Sequence, residues 1–189
     1  MSSKLFIVAG ILASFVSLSV FSAPAQASSL PKADQRGHSF SLGTAPSLAA
    51  EFSLSPQWAM GASMAMPFYY GSFGFIRYDL RTSYTLLQNS GLTLRGIAGI
   101  FGDVDTQQRQ DLILAPIGIE AGIGLSYQIN EWFTGRVNIV AGIGFPRSSG
   151  WGLFPPAGGI EIGFRPYDNF EATVGFNGNG DILSIRYLY

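Results

Sequence analysis

The sequence predicts an all-β chain closed into an antiparallel up-and-down barrel. Three observations carry that expectation. From residue 37 onward, apolar residues alternate with small or polar ones, and no helical period is sustained. The alternating segments are joined by two kinds of connection that take turns along the chain, one tight and one more varied. The parity also agrees from segment to segment. A one-residue slip would swap every face, so such agreement fixes the register.

Ten strands are expected, at 38–43, 48–55, 58–68, 73–87, 92–101, 112–127, 133–145, 153–165, 170–176 and 182–189. The first two are separated at Thr44-Ala45-Pro46-Ser47, because proline cannot donate to a ladder. Eight strands would result if the first segment were a tail and two others merged. The tight connections are Ser55–Gln57, Gln88–Gly91, Gln128–Glu131 and Pro166–Asn169. Segments 112–127 and 133–145 show the pattern most plainly. Ile113, Ile117, Ile119 and Ile123 share one face, and Gly118, Glu120, Gly122 and Gly124 share the other.

Ahead of the barrel, residues 1–27 read as a secretory signal peptide. Lys4 precedes a long apolar stretch, which ends in Ala25-Gln26-Ala27. Residues 28–36 form a short N-terminal segment, and 37–189 the barrel. No further run of about 20 apolar residues follows. The sequence has no cysteine, which removes disulfides, thiolate metal sites and thiol catalysis. A net charge of −1 gives no footing for nucleic acid, and no cofactor motif is present.

The polar faces decide which side points outward. Charged residues are 12% of the chain, about half the share of a typical soluble protein, so a water-facing surface would be poorly supplied. A narrow interior suits these faces better. Glycine, serine and alanine leave room there, and the charges can pair. The candidate interior set is Glu51, Asp79, Glu120, Glu161 and Glu171 against Arg77, Arg81, Arg95, Arg136, Arg165 and Arg186. Every base is arginine, whose planar fork matches carboxylates. Glu120 and Arg136 are the expected cross-strand pair. The apolar face then meets lipid, which makes the barrel transmembrane. The competing architecture is a secreted soluble barrel or sandwich with its apolar face inward.

Aromatics support the lipid-facing reading. Trp58, Tyr127, Trp132, Phe133, Tyr187 and Tyr189 cluster near the tight turns and the C-terminus, as an interface belt would. Phe68, Tyr69, Tyr70, Phe73, Phe101, Phe145, Trp151, Phe154 and Phe176 gather near the longer loops.

The leader, the alternating meander and the final strand ILSIRYLY resemble small bacterial outer-membrane β-barrel proteins. That resemblance implies a Gram-negative outer-membrane location. It also implies help from periplasmic chaperones and recognition by the barrel-assembly machinery. Leu183, Ile185, Tyr187 and Tyr189 match the family's C-terminal assembly signal, with Tyr189 where phenylalanine is usual.

Three functions fit such a barrel. The first is a structural or interaction barrel without catalysis. The second is a narrow porin-like channel, with the glycines and interior charges lining a water path. The third is a lipid-modifying enzyme at the rim, which would need His38 with Ser39 or Ser184. Asp103-Val104-Asp105 begins like a calcium loop without its later ligands, and Asn177–Asp181 offers oxygen side chains on a turn. No catalytic, cofactor or metal residue is assigned.

Overall fold

The computed structural model describes residues 37–44, 46–66, 75–105, 115–145, 152–154, 158–176 and 182–189, the segment 152–154 by its backbone. The leader, the segment to residue 36, Phe68 to Phe73, the loop after Asp105, Trp151, the side chain of Phe154 and the turn Asn177–Asp181 lie outside the described residues.

The strands are β1 (Ser39–Gly43), β2 (Ser47–Ser53), β3 (Trp58–Ala65), β4 (Phe75–Asn89), β5 (Leu92–Asp105), β6 (Ile117–Gln128), β7 (Phe133–Phe145), β8 (Gly152–Phe154), β9 (Gly159–Tyr167), β10 (Phe170–Phe176) and β11 (Leu183–Leu188). Apart from β8 and β9, which do not pair with each other, each pairs antiparallel with its sequence neighbours. The short β8 and the longer β9 both pair with β7 and share one place in the wall. Eleven segments therefore make ten staves. Ser39 pairs with Leu188, and β1 meets β11 to close the barrel. The predicted break between the first two strands is present. The segment expected at 153–165 is divided in two, and β5 runs four residues past Phe101.

The turns explain the hairpins. Between β4 and β5, Ser90 (φ 40°) and Gly91 (φ 87°) are both left-handed, the signature of a two-residue turn that matches strand twist. Between β6 and β7, Asn130 Oδ1 accepts from the backbone N–H groups of Trp132 and Phe133, each at 2.9 Å. All four tight turns and both chain ends of the barrel lie at one rim.

The registers give the stagger of closure. From Ser41, paired residues run through Ala49, Ser63, Asp79, Phe101 and Gly118 to Gly144 on β7. In the other direction they run through Arg186 to Glu171 and, across a bulge, to Arg165, whose N–H bonds the Trp132 carbonyl just before β7. The two paths meet twelve residues apart, at 144 and 132. For ten strands spaced about 4.8 Å apart with a rise of about 3.3 Å, that stagger tilts them about 40° from the barrel axis.

Candidate functional site

The feature with functional content is the barrel interior. Along each strand, burial alternates with the predicted parity. On β6, Gly118, Glu120, Gly124 and Ser126 are buried, and Ile117, Ile119, Ile123 and Leu125 are exposed. Among the described residues, every charged side chain within a strand takes an inward position, while Glu131 and Asp168 sit in tight turns. The outward positions carry large apolar side chains, among them Phe40, Leu48, Met64, Leu80, Ile143 and Ile185.

Five arginines and five carboxylates are buried inside: Arg77, Arg81, Arg95, Arg136 and Arg186 with Asp79, Asp103, Glu120, Glu161 and Glu171. Matching numbers let the interior hold charge without a net field. The groups fall into three clusters. Arg77 grips Asp103 with two hydrogen bonds, Nε to Oδ1 at 2.6 Å and Nη2 to Oδ2 at 2.7 Å, and its guanidinium lies 5.0 Å from the Phe101 ring centre. Arg81 holds Glu120 through both carboxylate oxygens and stands 3.6 Å from Asp79, which accepts from Ser63. Near the tight-turn rim, Glu171 gathers Arg136 at 2.7 Å, Arg165 at 3.1 Å and Arg186 at 3.6 Å, and Arg136 also reaches Glu161 at 3.2 Å.

Two more of the predicted interior residues are placed beside these clusters. Arg95 donates to the Ser83 hydroxyl at 3.2 Å. Glu51 lines a cavity of about 30 Å³ with Ser39, Ser41, Asp79, Arg81 and Arg186. That volume admits roughly one water molecule.

The expected Glu120–Arg136 pair is corrected. Arg136 pairs across the ladder with Ser126, and Glu120 with Gly142. Six residues separate the two levels, about 20 Å of strand. Glu120 instead meets Arg81 from two strands away. Between them lies Gly99, where a Cβ would stand 2.9 Å from Arg81 Cγ and 3.1 Å from Glu120 Oε1. The missing side chain is what lets the pair form.

That rule recurs, and it revises the meaning of the glycine face. Glycines are not an open lining, because large side chains from neighbouring strands lie over them. The Phe101 ring covers Gly118 and Gly142, and Arg136 and Glu171 cover Gly163. Phe101 is therefore an interior residue (3% exposed) and does not belong to the loop-side aromatic belt. Phe75, Ile97 and Val140 also point inward, with Ile97 packed on Val140. A Cβ on Gly142 would come within 2.8 Å of the Phe101 ring. We expect Gly142→Val to lose about 1–3 kcal/mol through overpacking. Urea unfolding in detergent measures this, and adding Phe101→Ala should recover part of the loss.

Asp103 was missed as an interior residue. It shares parity with Arg95, eight residues earlier on β5, so the alternation contained it once the strand is extended. Both of its carboxylate oxygens serve Arg77, and Oδ2 also accepts from the Ala115 N–H. It is the end of a strand, with its oxygens turned into the barrel, not the start of a calcium loop. His38 packs between the rings of Phe52 and Tyr189, and the Ser184 hydroxyl is bonded to Thr173.

Trp58, Tyr127, Trp132, Phe133, Tyr187 and Tyr189 are all exposed on the outside, toward the tight-turn rim. Leu183 and Ile185 are outward as well, and Leu188, between Tyr187 and Tyr189 and of opposite parity, points in. Compared with models of known protein families, the chain matches none, and no curated protein sequence matches it.

Proposed function

We propose that the chain is a bacterial outer-membrane β-barrel whose charge-paired interior is closed, with a structural or interaction role and no catalysis. The observation that carries this is the division of charge between faces. A soluble barrel needs charged residues outside, and here the outward strand positions are apolar while the ion pairs are inside. The aromatic ring near the tight turns has the composition of a membrane-interface belt. The signal-peptide pattern supports export, and the outward Leu183, Ile185, Tyr187 and Tyr189 would present the assembly signal to the barrel-assembly machinery, after escort by periplasmic chaperones.

Closure is supported by what fills the barrel. Two ion-pair clusters and the Phe101 ring lie over glycines, and the cavity beside β1–β4 is about 30 Å³. Fractionation with a heat-modifiable band in outer membranes tests the location. Planar-bilayer recording tests the closed interior: the purified protein should give no steady current, with or without Arg136→Glu. Steady currents whose selectivity shifts in that variant would establish the porin-like reading in its place.

A further inference from the structure

Among the described residues, the apolar wall is uneven in height. On β7 the outward apolar residues run from Phe133 to Phe145, and on β6 from Tyr127 to Ile117. At a tilt of about 40°, these climb about 30 and 25 Å along the barrel axis. On β2 they run only from Leu54 to Leu48, about 15 Å. The neighbouring β1 has five residues, below the roughly 9–11 that a membrane-crossing strand needs.

The β1–β2 hairpin ends at that low level. The Thr44 N–H bonds the Leu183 carbonyl at 3.0 Å, Thr44 Oγ1 accepts from the Ile182 and Leu183 N–H groups, and the Met66 N–H bonds the Pro46 carbonyl. The unevenness is all at the loop rim. By the same stagger, Leu54, Trp58, Tyr127, Phe133 and Tyr187 lie within about 5 Å of one level. Tilting the whole barrel would level the loop rim only by displacing this belt from its interface.

We propose that the side formed by β1 and β2 is a bilayer-thinning face, whose partner is lipid drawn to an apolar thickness of about 15 Å beside a taller wall of ordinary height. This rests on the membrane reading above. Chains compress at a modest cost per ångström, whereas the polar turn at Thr44–Ser47 would lose its water if submerged. Thinning is therefore the less costly response.

The chain has no cysteine, so single labels can be placed without background. Nitroxides at Leu48→Cys and Ile123→Cys sit at nearly the same height above the tight-turn rim, on the short and tall walls. In vesicles of di-oleoyl phosphatidylcholine, the Leu48 label should collide several-fold more with an aqueous nickel relaxer than the Ile123 label, which should favour oxygen. Equal burial of both labels in hydrocarbon would overturn the thinning while leaving the membrane reading intact. Disulfide-linked dimers of Leu48→Cys would overturn it in favour of a second copy covering the face. Failure to insert, with both labels wet, would overturn the membrane reading and this proposal together.

Discussion

Replacing Glu171 with leucine should lower the stability of the barrel by about 3–5 kcal/mol, the range for breaking a buried ion pair by removing one partner. Glu171 is fully buried and is approached by three guanidinium groups, from Arg136, Arg165 and Arg186. Leucine would leave those cations facing one another with a carboxylate missing. Urea midpoints in detergent, with the heat-modifiable band as the folded marker, give the measurement. An unchanged midpoint would mean that the arginines find water or other partners, and that Glu171 is not the centre of the cluster. Glu120→Leu should behave similarly through Arg81, without the effect of shared arginines.

Ile123→Arg should cost about 2–4 kcal/mol in lipid and slow insertion, as expected for a cation placed near the bilayer midplane on the outer face. Ile123 lies between Tyr127 and Ile117 on β6, half-exposed and pointing away from the interior. The effect should be much smaller in detergent, where water can reach the new charge. A variant that assembles like the parent in lipid would mean that this wall does not contact hydrocarbon.

Strand positions and the facing of each side chain were legible in the sequence, because a period of two is written into every segment. The split at Thr44–Ser47 could be read from a single proline, together with the even strand number that the family resemblance implies. Partner choice inside the barrel was not legible. Arg81 and Glu120 are two staves apart, and their meeting depends on Gly99 lacking a side chain and on a stagger that only the closed registers reveal. Phe101 looked like a belt aromatic because it stands near a strand end, yet its parity matches Arg95. The same parity would have found Asp103, had the strand not been ended at Phe101. Glycine-rich faces were read as empty space, when they are complements to large neighbours.

The seam carries a further consequence, for the order in which the molecule forms. Arg77 and Asp103, Arg81 and Glu120, and the residues around Glu171 all belong to staves close together in the chain. Each cluster can be completed by adding consecutive hairpins, with short loops to close. Among the described strands, it is the meeting of Ser39–Gly43 with Ser184–Leu188 that joins opposite ends of the barrel sequence, through five paired residues, the mutual backbone bonds of His38 and Tyr189, and the bonds of Thr44 to Ile182 and Leu183. The longest-range contacts are therefore concentrated in one brief ladder. Its zipping is the step at which an open, twisted ribbon with a neutralised inner surface becomes a tube, and a chain stalled before it would expose two edges and little unpaired charge.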